Sequence, residues 1–183
     1  MAEVDSFQLH AGDPAPPFRL PGVDGKTWSL SDFKDSPYLV VTFWCNHCPY
    51  VQAWEGRTIA LQNEFAAKGV RFVLINSNDD QSYPDDRFDR MVARAEEKGY
   101  PFPYLWDDSQ SVARAYGALV TPHPMLFGPD RRLLFQGRID DNHSAPELVK
   151  HRFLHEALEA ATAGRPISKT ELPVQGCSVK WRA

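Results

Sequence analysis

Long apolar runs and an excess of positive charge are both missing from this chain of 183 residues. The longest apolar stretch, residues 38–45, is interrupted by Thr42 and is far shorter than the ~20 residues that a membrane-spanning helix needs. The net charge of −4 leaves no basic excess to attract phosphate backbones or anionic lipid. The composition therefore argues against nucleic-acid and membrane partners.

Cysteine is also scarce, and the three present cannot all pair within one molecule. Residues 1–11 lack the basic start and apolar stretch of a secretory signal, which predicts a cytoplasmic location. Structural disulfides are rare in a reducing compartment, so paired cysteines there are more often catalytic or metal-binding. We therefore look for function first at the cysteines.

The order of the predicted elements indicates an α/β protein with a central mixed sheet flanked by helices. Two apolar runs of strand length, residues 38–44 and 70–75, enclose residues 51–68, where apolar side chains recur at steps of three and four. Strand, helix and strand within ~40 residues indicate a βαβ unit with parallel strands. Residues 125–127 and 133–136 flank a Gly-Pro-Asp-Arg turn, which predicts an antiparallel hairpin.

We expect a single domain in three parts. These are an N-terminal extension with a β-hairpin, a core, and a C-terminal tail, at residues 1–36, 37–164 and 165–183. Three further helices are predicted in the core, of which the shortest is at residues 109–116 and the other two are longer. One begins at Pro84 and ends at Lys98, and the other opens on a capping box at residues 144–147 and continues to about Ala163.

Cys45 and Cys48 form a Cys-x-x-Cys pair where the first buried strand gives way to the first helix. Unpaired N–H groups and the positive end of the helix dipole favour a thiolate at this place. This predicts Cys45 as the nucleophile, and Cys48 as the thiol that resolves a mixed disulfide on Cys45. Pro49 is compatible with a first helical turn, where no N–H donor is needed. The pattern predicts thiol–disulfide exchange.

Structural zinc sites use the same spacing, but they need four ligands. The sequence has no second Cys-x-x-Cys or Cys-x-x-His pair, and offers only His47, Cys177 and scattered histidines beside the first two thiols. A metal-binding or metallochaperone module that uses Cys45, Cys48 and a histidine is therefore the alternative from another functional class. We expect no bound metal and no other cofactor.

Four sequence motifs carry a family resemblance: Gly-Asp-Pro-Ala-Pro-x-Phe-x-Leu-Pro at the start, Trp-Cys-Asn-His-Cys-Pro-Tyr, Gly-Arg-Ile-Asp-Asp, and Gly-Cys-Ser-Val-Lys-Trp in the tail. With them the chain resembles thioredoxin-fold proteins of the peroxiredoxin-like branch, which are related to alkyl hydroperoxide reductase and the thiol-specific antioxidant. The resemblance covers nearly the whole chain. It implies a thioredoxin-like fold and action on protein or small-molecule thiols and disulfides, with an electron donor that the sequence does not identify.

The resemblance also implies that the Thr121–Pro122 bond is cis and that its loop lies against the cysteine pair. Backbone groups of such a loop can bind an extended substrate. An acidic group under the dithiol serves as a proton shuttle in similar reductases. Asp79, at the end of the second buried strand, is the candidate here, although it can equally be a solvated loop residue.

Residues next to the thiols are expected to tune them, namely Trp44, Asn46, His47 and Pro49. An imidazole at His47 can stabilise a thiolate at Cys45, or can simply face solvent. Cys177 has three open readings: a third redox thiol, a bridge to another molecule, or an inert small apolar residue.

Peroxiredoxins place their reactive thiolate in the motif Pro-x-x-x-Thr-x-x-Cys. Counting back from Cys45, Thr42 fits but Tyr38 stands in place of the proline. Counting back from Cys48, Cys45 and Val41 stand in place of threonine and proline. Because neither register is complete, the prediction is a thiol–disulfide oxidoreductase, with a peroxiredoxin-like thiol peroxidase as the alternative.

Overall fold

The computed structural model describes residues 3–183, which fold around a five-stranded mixed sheet. In chain order the strands are β1 (Arg19–Pro21), β2 (Thr27–Ser29), β3 (Tyr38–Phe43), β4 (Val70–Asn76), β5 (Tyr104–Trp106), β6 (Val120–Thr121), β7 (His123–Phe127), β8 (Leu133–Gln136) and β9 (Cys177–Ser178). The α-helices are α1 (Pro49–Phe65), α2 (Phe88–Lys98), α3 (Ser111–Tyr116) and α4 (Phe153–Thr162). Among the described residues, no helix is long and apolar enough to cross a membrane.

Strand β3 lies at the centre of the sheet, in the order β5-β4-β3-β7-β8. It pairs in parallel with β4 and antiparallel with β7. Successive side chains of a strand point to opposite faces. Val40 accordingly joins the core on the α1 side, while Leu39 and Val41 join the core on the other side. Burial on both faces explains why this segment reads as a continuous apolar run.

The predicted βαβ unit and the two predicted hairpins are confirmed. Helix α1 connects the parallel strands β3 and β4, and β7 pairs antiparallel with β8. In the N-terminal extension, β1 pairs antiparallel with β2, with Leu20 opposite Trp28. All of these elements follow from local patterns of apolar residues and turn residues.

The starts of two helices were predicted wrongly. Residues 144–147 do not form a capping box, because Ser144 Oγ donates to Asn142 Oδ1 and a short 3-10 turn follows at Pro146–Leu148. The last helix therefore begins only at Phe153. Pro84–Asp86 is likewise a 3-10 turn, and α2 begins at Phe88. In this second case the buried carboxylate of Asp86 accepts from the Asn46 backbone N–H, in the loop before α1, instead of taking part in a first helical turn.

The C-terminal tail folds back along the core and places β9 beside β6. The two short strands are antiparallel, with Val120 opposite Ser178 and Thr121 opposite Cys177. Beyond β9, the Gln110 side chain donates to the Lys180 carbonyl oxygen at 2.8 Å. The tail therefore has a fixed register on the loop between α3 and β7.

Gly176 is required for this close approach. A Cβ atom built at Gly176 would lie 2.2 Å from the Thr121 carbonyl oxygen, which belongs to the backbone and cannot move aside. Gly56, on the exposed side of α1, has nothing within 4 Å of the same added atom. The two glycines therefore make a matched pair for substitution by alanine.

We predict that Gly176→Ala lowers the free energy of unfolding by about 1–3 kcal/mol through overpacking. Gly56→Ala should instead raise it by up to about 1 kcal/mol, because alanine favours the helix. Urea unfolding of the two variants and the wild type measures both changes. Equal effects at the two positions would show that the tail does not pack as described.

Candidate active site

Three thiols and the Thr121–Pro122 loop meet at the start of α1. The predicted cis bond before Pro122 is confirmed. Cys45 Sγ lies 3.3 Å from Thr121 Oγ1, and Cys48 Sγ lies 3.2 Å from the Thr121 carbonyl oxygen. Cys177 stands opposite Thr121 in the β6–β9 pair and packs against the core cluster that contains the other two cysteines. All three cysteines are free thiols.

The surroundings of Cys48 favour its thiolate. Hydrogen bonding from the Cys45 thiol is the largest influence, and it lowers the pKa of Cys48 to about 5 against the opposing effect of burial. The Cys177 thiol and the backbone N–H groups of Val51 and Cys177 lower this pKa further. The contact with the Thr121 carbonyl oxygen favours the protonated thiol, but the donors around Cys48 outnumber this one acceptor.

The other two thiols are held protonated. Burial raises the pKa of Cys45 well above its usual value, and the Cys48 sulfur and the Asp86 carboxylate raise it further. Burial and the nearby Cys48 sulfur raise the pKa of Cys177 to about 12. The Cys48 sulfur thus raises the pKa of both neighbouring thiols.

This distribution differs from the sequence-based roles, in which Cys45 carries the thiolate. The largest cause is hydrogen bonding from the Cys45 thiol, to which the first turn of α1 adds the Val51 N–H. Because α1 begins at Pro49, its N-cap is Cys48, and Cys45 lies three residues before the cap. The predicted place of Pro49 in the first helical turn is confirmed.

Asp86 is a site residue that the sequence reasoning missed. Its buried carboxylate accepts from the Asn46 backbone N–H at 2.7 Å, from His47 Nδ1 at 2.5 Å and from Asn78 Nδ2 at 2.8 Å. Asp86 was interpreted as a first-turn helix residue, because two aspartates after a proline fit that pattern. Only the folded chain brings it beside the thiol of Cys45.

His47 was expected to stabilise the Cys45 thiolate, and one of its ring nitrogens lies within 4.8 Å of Cys45 Sγ, although its hydrogen bond and ring stacking are made to other residues. Nδ1 faces Asp86, and the ring stacks on Tyr83 with centroids 5.4 Å apart. The acidic candidate Asp79 is also directed elsewhere, because its side chain faces Arg182 of the tail at 3.5 Å. The carboxylate that the structure places beside Cys45 is therefore Asp86 and not Asp79.

The side chains of Trp44 and Asn46, on either side of Cys45, anchor the loop before α1 through hydrogen bonds. Asn46 Oδ1 accepts from the Tyr104 hydroxyl at 2.8 Å, and Asn46 Nδ2 donates to the Asp85 carbonyl oxygen at 2.8 Å. Trp44 is fully buried and its indole N–H donates to the Tyr100 hydroxyl at 3.2 Å. Both side chains act by fixing the backbone that presents the thiols.

One group of potential metal ligands lies among the described residues. Ligand atoms of Cys45, His47 and Asp86 lie within 4.8 Å of one another. This trio shares Cys45 and a histidine with the metal-module alternative but replaces Cys48 by Asp86. The carboxylate already accepts from three N–H donors, which a bound cation would have to displace.

Adjacent thiols of unlike pKa, beside a cis-proline loop and just after the central strand of a mixed sheet, define a class of protein. This class is the thiol-based redox proteins of thioredoxin-like fold. The chain belongs to the AhpC/TSA family, whose profile matches residues 11–136. A search of curated protein sequences found no match.

Solved structures agree with this fold. A hypothetical protein from Sinorhizobium meliloti 1021 is 38% identical, with 99% of this chain and 100% of that chain covered and a TM-score of 0.92. An uncharacterized conserved protein from Geobacillus kaustophilus is 41% identical. The match covers 100% of this chain and 97% of that chain, with a TM-score of 0.92. A candidate thiol:disulfide interchange protein DsbE from Chlorobium tepidum is 25% identical. The match covers 86% of this chain and 98% of that chain, with a TM-score of 0.61.

The lowered pKa of Cys48 predicts a pH-dependent stability of the reduced protein. Folded Cys48 loses its proton near pH 5, whereas an unfolded cysteine keeps its proton up to ~8.5. Between these values the unfolded state binds more protons, so stability rises with pH. We expect the stability of wild type relative to Cys48→Ser to rise by up to about 1.4 kcal/mol per pH unit between about pH 5.5 and 8, and to be lost as pH falls through the folded pKa.

Urea unfolding in the presence of a reductant measures this difference. Subtracting the values of Cys48→Ser removes the contributions of histidines and carboxylates, which both proteins share. A difference that stays flat or falls across this pH range would contradict the assignment of the thiolate to Cys48.

Proposed function

We propose that the protein is a thiol–disulfide oxidoreductase whose redox couple is the Cys45–Cys48 dithiol and disulfide. The observation that supports this most is the pairing of a Cys48 thiol of lowered pKa with a protonated Cys45 beside it. The name of the Chlorobium tepidum protein is in line with this activity. We further propose protein or small-molecule thiols and disulfides as partners, a separate electron donor, and the cytoplasm as the location.

In this proposal the Cys48 thiolate attacks one sulfur of a substrate disulfide. The substrate S–S bond breaks, one substrate sulfur leaves as a thiolate that takes up a proton, and the other stays bound to Cys48. Cys45 then gives up its proton and attacks Cys48 Sγ, which releases the second substrate thiol. The chain is oxidised to the Cys45–Cys48 disulfide while the substrate gains two electrons and two protons. The attacking and resolving roles are the reverse of the sequence-based ones.

A thiol peroxidase is the alternative, and Thr42 bears on it. In the peroxidatic register that ends at Cys45, a threonine hydroxyl at this position would help to orient the peroxide. Thr42 Oγ1 is instead buried with no hydrogen-bond partner among the described residues. The hydroxyl within 3.3 Å of Cys45 Sγ belongs to Thr121. This arrangement supports disulfide exchange as the main chemistry.

We predict that either Cys45→Ser or Cys48→Ser reduces the rate of insulin disulfide reduction to the uncatalysed background. Thr42→Val, which keeps the shape of a buried side chain that makes no hydrogen bond, should leave the rate within about twofold. Insulin turbidity with dithiothreitol as the reductant measures all four proteins. Circular dichroism confirms that the serine variants are folded.

Peroxide consumption separates the two candidate functions. The proposal expects slow peroxide turnover in the wild type and no change in Thr42→Val. Rapid turnover that persists in Cys48→Ser with an added thiol, together with a wild-type protein that is inactive in the insulin assay, would favour the peroxidase instead.

A further inference from the structure

We propose that Cys177 is a third redox thiol and that the tail is a built-in substrate, which exchanges disulfides with Cys48. This inference rests on the proposed function, because it takes the Cys45–Cys48 disulfide as its starting point. Nothing in the family assignment reaches this residue, since the matched region ends at residue 136.

The tail lies where an extended substrate would bind. Substrate chains add to exposed strand edges through backbone hydrogen bonds. Here β9 adds to the edge of β6, with Cys177 directly opposite Thr121, the residue before the cis-proline. Gly176 allows this approach, because any side chain there would meet the Thr121 carbonyl oxygen.

Cys177 also lies beside the correct sulfur. Cys48 Sγ lies 3.2 Å from the Thr121 carbonyl oxygen, and Thr121 is the residue that stands opposite Cys177 in the β6–β9 pair. Cys177 also packs against the core cluster that contains Cys45 and Cys48. Cys48 and Cys177 therefore meet at the same residue of the cis-proline loop.

Solvent exposure of the side chain differs among the three thiols, and Cys177 is the most exposed of them. Cys45 and Cys48 are fully buried, whereas Cys177 is half-buried. A bulky partner can therefore reach Cys177 more readily than the buried pair. The tail keeps this position through backbone contacts, in which Lys180 N–H donates to Asn78 Oδ1 at 2.9 Å and Asp79 N–H donates to the Lys180 carbonyl oxygen at 2.8 Å.

The exchange step is balanced within the chain. The Cys177 sulfur loses its proton and attacks Cys48 Sγ of the Cys45–Cys48 disulfide. The bond between Cys45 and Cys48 breaks, a bond between Cys48 and Cys177 forms, and Cys45 takes up one proton. No electrons enter or leave, and the disulfide has moved from the buried pair to the half-buried tail.

An external dithiol then completes the cycle. One of its thiolates attacks Cys177 Sγ, and Cys48 leaves as a thiolate, which its low pKa makes a good leaving group. The second thiol of the dithiol attacks the mixed disulfide and releases Cys177 as a thiol. The donor ends as a disulfide, and the chain has gained two electrons.

Disulfide mapping tests the proposal. Wild type, Cys45→Ser and Cys177→Ser are equilibrated in glutathione buffers, quenched with acid, alkylated and digested, and the linked peptides are identified by mass spectrometry. We expect wild type to contain both the Cys45–Cys48 and the Cys48–Cys177 bonds. Cys45→Ser should form the Cys48–Cys177 bond within one chain, and Cys177→Ser should form only the Cys45–Cys48 bond.

Two results would overturn the inference. One is a wild-type protein that contains only the Cys45–Cys48 bond in every buffer. The other is a folded Cys45→Ser protein in which Cys48 carries glutathione while Cys177 remains free. Absence of the Cys45–Cys48 bond from Cys177→Ser would instead refute the proposed function, and with it the exchange step.

A comparison of partners supplies a second readout. Re-reduction of the oxidised protein by a protein dithiol, reduced thioredoxin, should be about tenfold slower in Cys177→Ser than in wild type, while re-reduction by the small dithiol dithiothreitol changes by less than about twofold. Ser178→Ala, the neighbouring position in β9, is the matched control and should match wild type with both donors. Equal rates of re-reduction by thioredoxin in Cys177→Ser and wild type would remove Cys177 from the path.

Discussion

The hydrogen bonding that lowers the pKa of the buried Cys48 thiol is the constraint on which the site depends. A charge removed from water is costly unless hydrogen-bond donors surround it. Here the donors come from three parts of the chain: the Cys45 loop, the first turn of α1, and the tail. The Cys48 sulfur in turn raises the pKa of Cys45 and of Cys177. The lowered pKa of Cys48, the position of the tail beside it and the raised pKa values of Cys45 and Cys177 therefore depend on the same set of contacts.

The loop that carries the thiols is held in place by the buried carboxylate of Asp86. Asp86 accepts from Asn46, His47 and Asn78, and so connects the loop before α1 to the segment after β4. Its carboxylate also disfavours a second thiolate at Cys45. His47 contacts this carboxylate, and one of its ring nitrogens also lies within 4.8 Å of Cys45 Sγ.

The sequence was sufficient for those parts of the fold that depend on local patterns. The central strand, the βαβ unit and the hairpins follow from apolar periodicity and turn residues, and the cis bond at Pro122 follows from the family resemblance. The starts of α2 and α4 were not predictable in this way. At α2, distant side chains that bind Asp86 override the local helix signal.

The chemistry of the site was predicted less completely. It depends on the exact residue at which α1 begins and on contacts between residues that are far apart in the sequence. The helix begins at Pro49 with Cys48 as its N-cap, which leaves Cys45 three residues before the cap. Asp86 and Asp79 are seven positions apart and equally plausible in sequence, yet only Asp86 joins the ligand group beside Cys45. The position of Cys177 depends on the pairing of β9 with β6, which no local pattern encodes.

Titration of the individual cysteine side chains by NMR tests the central claim most directly. Reduced protein labelled with 13C at cysteine Cβ is followed across pH, with signals assigned from the three Cys→Ser variants. The account predicts that the Cys48 signal moves first, with a midpoint near pH 5, while Cys45 and Cys177 remain thiols beyond ~8.5, the pKa of a free cysteine. A first titration at Cys45 or at Cys177 would contradict it.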